Sequence, residues 1–158
     1  MTLRALPTAL LMGLLGLLFL APPASASGTR ISHATAAAQL SAVGITWSSS
    51  GGCSDRTRPT CTSFEQIYSG TINGIKTLKS ASGCAIHITG GTETGHASGT
   101  YSHWNGYKLD IRHNTCVDGY VKRSFTYIGL RGDGSPQWKS AAGNLYADEG
   151  SHWDITYF

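Results

Sequence analysis

Two short segments hold most of the residues in this chain that can do chemistry. The first runs Ser102-His103-Trp104-Asn105-Gly106-Tyr107-Lys108-Leu109-Asp110; the second is Glu149-Gly150-Ser151-His152-Trp153. Imidazole and carboxylate are ordinary zinc ligands, and two imidazoles with one carboxylate leave a fourth position open, as catalytic sites do. His103, Asp110 and His152 make such a set. Glu149 stands three residues before His152, and Gly150-Ser151 between them can turn the chain so that the carboxylate swings toward water at the metal. A carboxylate placed there takes a proton as water attacks a carbonyl and returns it to the leaving amine.

Those residues need strands to bring them together. In 107–112, Tyr107, Leu109 and Ile111 alternate with Lys108, Asp110 and Arg112, so the two sets lie on opposite faces. In 152–158, Trp153, Ile155 and Tyr157 share one face and His152, Asp154 and Thr156 the other. If the apolar faces cover helices, Asp110 and His152 share the outer face as cross-strand neighbours, within about 5.5 Å. His103 then folds back from the polar, glycine-containing stretch 92–105.

The helices are expected upstream. Residues 33–43 are Ala-rich and favour helix, with Gly44 placed to end it. Thr62 and Glu65 read as a capping box opening a second helix, whose apolar stripe is Phe64, Ile67, Tyr68, Ile72, Ile75 and Leu78. A strand over 85–89, a short helix over 117–124, a strand over 125–130 and turns through 131–148 complete the pattern. The expected fold is one small α+β domain with N-terminal helices packed on an antiparallel sheet that carries a zinc site.

Composition narrows the setting. Residues 1–26 have Arg4 near the start, an apolar run from Ala9 to Ala21, and Ala24-Ser25-Ala26 at the end, the plan of a secretory signal peptide. The run is shorter than the ~20 residues a spanning helix needs. Cleavage there leaves 27–158 as the domain that carries the expected zinc site. Cys53, Cys61, Cys84 and Cys116 all follow the leader, and four cysteines in an exported chain read as two disulfides. Three pairings are open; nearness favours Cys53–Cys61 and leaves Cys84–Cys116. No C-x-x-C pair points to zinc on these sulfurs. The formal charge of +3 drops by one with the leader, and no basic cluster argues for nucleic acid. The mature chain is expected to be extracellular or periplasmic, off the membrane and monomeric.

Together the two segments resemble the zinc D-Ala-D-Ala carboxypeptidase and dipeptidase family, whose relatives include phage endolysin peptidases and vancomycin-resistance dipeptidases. The matches are His103, Gly106 and Asp110 in a His-x-x-Gly-x-x-x-Asp segment, then Glu149, His152 and Trp153 in a Glu-x-x-His segment with aromatic company. The resemblance covers roughly residues 84–158. It implies zinc on His103, Asp110 and His152, Glu149 as general base, and peptidoglycan stem peptides as substrate. Ser102, beside His103, stands off the family's usual serine position. The family's arginine, which polarises the substrate carbonyl from the turn after the first sheet strand, has no counterpart in Thr89–His96. His96 or Arg112 are the candidates to replace it, and Glu93 and His96 are candidates to support the metal or the substrate.

Other readings differ by class. A zinc-containing binding domain without catalysis would need the base to be lost, and Glu149 is present. A secreted antibacterial effector that degrades peptidoglycan shares every residue above. His33, His87 and His113 are assigned no role, since a single histidine is usually a surface residue.

Overall fold

The computed structural model describes residues 28–158; the expected signal peptide, 1–26, lies outside them. Helix α1 (His33–Ser41) starts where the Ser32 hydroxyl accepts the Thr35 N–H at 3.2 Å, an ordinary N-cap. Helix α2 (Ser69–Ser82) buries Thr71, Ile72, Ile75 and Leu78 and ends at Gly83, whose φ of 68° closes the helix in the left-handed region. Helix α3 (Thr115–Ser124) is capped by Asn114 and buries Val117 and Val121.

The capping box at Thr62 and Glu65 does not form, and α2 begins at Ser69 instead. The Thr62 hydroxyl donates to the carbonyl of Ser48 at 2.8 Å, and Glu65 Oε2 accepts the His33 N–H at 2.9 Å. Tertiary partners have taken both groups. The stripe residues Ile67 and Tyr68 form strand β3 (Ile67–Tyr68), paired antiparallel with β1 (Arg30–Ile31).

The main sheet has seven strands: β2 (Thr46–Trp47), β4 (His87–Gly90), β5 (Lys108–Arg112), β6 (Thr126–Leu130), β7 (Pro136–Lys139), β8 (Leu145–Asp148) and β9 (His152–Thr156). Their order is β2-β4-β5-β9-β8-β7-β6. The β2–β4 pairing is parallel and the others antiparallel, so the sheet is mixed rather than antiparallel throughout. The segment expected to be turns, 131–148, contains β7 and β8. Four-residue strands broken by Gly132, Gly134 and Gly143 are too short to declare a period.

One face of the sheet is the core. Ile88, Leu109, Ile111, Trp153 and Ile155 pack with Leu40 of α1, Ile72 and Ile75 of α2, and Val117 and Val121 of α3. Each such side chain contributes about 1.5–3 kcal/mol on burial, which fixes the strand faces and turns Asp110 and Asp154 to the other side. The disulfides are Cys53–Cys61 and Cys84–Cys116, the pairing that nearness favours. No helix among the described residues is long and apolar enough to cross a membrane.

Candidate metal centre

The polar face of the sheet forms the floor of a cavity of about 570 Å³, lined among others by His96, His103, Lys108, Asp110, Arg131, Glu149, His152 and Asp154. Asp110 sits at its centre. Its direct partner across the β5–β9 ladder is Asp154, while His152 pairs with Arg112. Asp110 and His152 therefore meet as diagonal neighbours on one face, not as the directly opposed pair expected from their alternation. Two carboxylates directly opposite one another repel, and cations hold them together. Lys108 Nζ donates to Asp154 Oδ2 at 2.6 Å and Arg131 donates to the same oxygen at 2.8 Å.

His103 enters from a tight turn over 102–107. The Gly106 and Tyr107 N–H groups donate to the carbonyls of His103 and Ser102, and the Ser102 hydroxyl accepts the Asn105 N–H at 3.2 Å. Ser102 thus builds the turn and its oxygen is used within it. Gly106 has φ of 79°, and a Cβ there would lie 2.6 Å from the Gln66 carbonyl oxygen, so the turn presses on the chain ahead of α2. Gly90 is required for a similar reason: a Cβ would stand 2.4 Å from Asp110 Oδ2.

The ring of His103 is held in one tautomer. Nδ1 lies 2.6 Å from the Gly91 carbonyl. A carbonyl only accepts, so Nδ1 carries a hydrogen, and Nε2 is the nitrogen left to take a proton or a metal ion. Nε2 faces Asp110 Oδ1 at 3.2 Å and Asp154 Oδ1 at 3.8 Å. Both oxygens are buried and accept no hydrogen bond. His152 Nε2 approaches Asp110 Oδ1 at 3.6 Å, and His96 Nδ1 approaches Asp110 Oδ2 at 3.7 Å. Nitrogen and oxygen atoms that face one another across such gaps are joined by a proton or by a metal cation. Ligands held at ~2.0–2.2 Å in a tetrahedron stand roughly 3.3–3.6 Å apart, close to these separations. The ligand atoms of His96, His103 and Asp110 lie within 4.8 Å of one another, so this group could hold a metal ion.

Electrostatics agrees. Burial works against a charge on His103, but Asp110 with Asp154 outweighs it and raises the ring's pKa. Burial pushes the Asp110 carboxyl up, and His103, His152 and His96 more than reverse this, leaving it lowered. The pocket is built for positive charge, and a proton and a metal ion compete for the same lone pair.

No protein-family model matches this chain, and no curated protein or solved structure matches it.

Glu93 and His96 form a pair. The Glu93 carboxylate accepts N–H bonds from Ser63 at 2.8 Å and Gly91 at 3.0 and 3.1 Å, and it lies 3.3 Å from His96 Nε2. Burial raises the Glu93 pKa, but the His96 contact and the backbone donors outweigh it and leave it lowered. A carboxylate on one ring nitrogen turns the other toward a metal, here Nδ1 toward Asp110. The rings of His96 and His103 stack with centroids 3.8 Å apart. Glu149 Oε2 lies 3.2 Å from His152 Nε2, and the Ser151 hydroxyl is 2.9 Å from Nδ1 of that ring.

Arg112 is exposed and is not among the cavity's lining residues. The arginine that reaches the cavity is Arg131, from the β6–β7 turn. It had no local signal, because it lies in the stretch that reads as turns. Asp154 was legible as a residue on the His152 face, but its pairing with Asp110 depends on strand register. A more apolar groove of about 390 Å³ along α2, lined by Leu78, Phe125 and Tyr146, brings no carboxylate or imidazole.

Proposed function

We propose that this chain is an exported zinc peptidase of the D-Ala-D-Ala carboxypeptidase and dipeptidase type, acting on peptidoglycan stem peptides as a carboxypeptidase or endopeptidase. The observation that carries the metal is the convergence of imidazole nitrogens from His103, His96 and His152 on the buried Asp110 carboxylate, with His103 Nε2 fixed in place by the Nδ1 bond to Gly91. His103, Asp110 and His152 are the zinc ligands in this reading, and His96, steered by Glu93, is a fourth donor within reach. The nitrogen and oxygen donors suit zinc. The substrate class comes from the resemblance of the two segments, and export from the leader together with two disulfides.

Zinc, when bound, supplies Lewis acidity that makes water a better nucleophile and polarises a carbonyl. The chain's own residues do the rest. Glu149 Oε2 takes the proton that water loses as its oxygen bonds to the amide carbon, and delivers that proton to the amine nitrogen as the C–N bond breaks. Lys108 and Arg131 keep Asp154 paired so that its charge does not expel Asp110. A zinc-binding domain without catalysis is the second reading; His96 Nδ1, 3.7 Å from Asp110 Oδ2, favours it, since a fourth protein ligand would fill the position that water needs.

The test uses the mature, disulfide-intact protein with purified peptidoglycan, with and without a chelator. About one zinc per chain, with chelator-sensitive release of D-Ala or of a cut stem peptide, is expected. Glu149→Ala should retain zinc and lose the release by about 10²-fold or more. Zinc without release from the unaltered protein selects the binding domain, and a chain that takes up no zinc overturns both readings.

A further inference from the structure

We propose that Arg131 is the positioning residue for Glu149, resting on Glu149 as the base in the reading above. The sheet order makes the contact unexpected. Arg131 follows β6, the edge strand, and two strands separate β6 from β9. Its side chain nevertheless reaches across the polar face. Nη1 donates to Asp154 Oδ2 at 2.8 Å, Nη2 donates to Glu149 Oε1, and Nε donates to both oxygens of Asp133 at 3.0 and 3.1 Å.

Nη2 also donates to Asp133 Oδ2 at 2.5 Å, so the guanidinium is shared among three carboxylates, Asp133, Glu149 and Asp154. Asp133 belongs to the same turn and fixes the plane of the guanidinium; the Arg131 N–H also donates to the Ser135 carbonyl at 2.8 Å. Asp154 anchors the group to the sheet, and Glu149 takes the other Nη2 N–H. Glu149 needs such a partner. It precedes Gly150, whose φ of 80° makes the β8–β9 turn, and its side chain is 30% exposed. With Oε1 held, Oε2 is the oxygen left for proton transfer, and it is the one near His152 Nε2.

This geometry separates positioning from substrate binding. An arginine given over to a substrate carbonyl would keep most of its donors free, whereas four of the five guanidinium N–H groups here are spent on carboxylates and one, on Nη1, is left over. A lysine would supply one point charge in place of a planar fork, so it could meet Glu149 or Asp154 but would hold neither in a fixed plane. No atom is transferred by Arg131; it stays protonated throughout.

The test takes Arg131→Gln and Arg131→Lys in the full mature protein loaded with zinc, with a stem pentapeptide ending in D-Ala-D-Ala as the probe. Zinc per chain should stay near one, since Lys108 still donates to Asp154 Oδ2 at 2.6 Å. Arg131→Gln should lower kcat about 10–100-fold, the scale of a misplaced catalytic group, with KM within about twofold, and Arg131→Lys should recover part of kcat. A thermal double-mutant cycle of Arg131→Gln with Glu149→Gln should show coupling, which reads the contact without reference to turnover. A raised KM with kcat unchanged would make Arg131 a substrate-binding group and overturn the proposal, as would zero coupling. Coupling in a protein that never releases D-Ala would overturn the peptidase reading and reduce Arg131 to a structural ion pair.

Discussion

The cavity has two walls of opposite character. The wall carrying His103, Glu93 and His96 comes from the segment after β4, and its inner members are sealed: Glu93 and His103 are each 3% exposed. Their hydrogen bonds end on the Gly91 carbonyl, the Gly91 N–H and the Ser63 N–H. Behind them, the loop closed by Cys53–Cys61 sends Arg56 onto the Thr92 carbonyl at 3.2 Å and over the Trp104 ring at 3.7 Å. The facing wall carries Glu149, His152 and Arg131 on two turns, with side chains 25–30% exposed and partners that are mostly one another. One wall is suited to hold an ion in fixed geometry. The other is more open to solvent and is held by ion pairs of Arg131 with Glu149 and of Glu149 with His152.

The sharpest way to break this contrast is to remove one imidazole from each wall. His103→Ala should abolish zinc uptake. His152→Ala should weaken it while leaving measurable binding by His103, Asp110 and His96, as read by competition with a chromogenic chelator. Equal losses would show that the walls do not differ in this way.

A second test loosens the sealed wall from behind. Replacing Cys53 and Cys61 by Ser should cost about 2–3 kcal/mol, seen as a melting temperature several degrees lower, and should weaken zinc binding through Arg56 and Trp104. Removing Cys84–Cys116 should lower the melting temperature without a comparable change in zinc affinity. Identical zinc affinity in both variants would disconnect the loop from the site.

The smallest effect concerns the brace behind the open wall. Asp118 accepts from Trp153 Nε1 at 2.7 Å and meets His113 at 2.8 Å, and His113 in turn approaches Asp148, next to Glu149. Burial raises the Asp118 pKa, but His113, Trp153 and Lys122 outweigh it and leave it lowered. A lowered carboxylate stabilises the fold above its unfolded pKa, and that contribution is lost as pH falls through the folded value. Asp118→Asn should cost about 1 kcal/mol at pH 7 and flatten the loss of stability in acid, measured by urea unfolding at neutral pH and at about pH 3. An unchanged acid slope would show that this carboxylate carries no such linkage.

The amino-acid sequence alone set a good deal of this. Alternation in 107–112 and 152–156 put Asp110, Asp154 and His152 on one face, because a strand has a period of two and its apolar set must be buried. The Ala-rich start of α1, the stripe Ile72-Ile75-Leu78 in α2 and the even cysteine count are local facts, legible without the fold. The tertiary structure decided what depends on register and on distant partners. It paired Asp110 with Asp154 rather than His152, gave Thr62 and Glu65 other bonds than a capping box, and made a mixed sheet by laying β2 parallel to β4. It curled the β6–β7 turn over the site so that Arg131, silent in its own neighbourhood, became a neighbour of Glu149. Spacing along a chain tells which side chains share a face; which of them touch is settled by how strands slide past one another and where their turns fold.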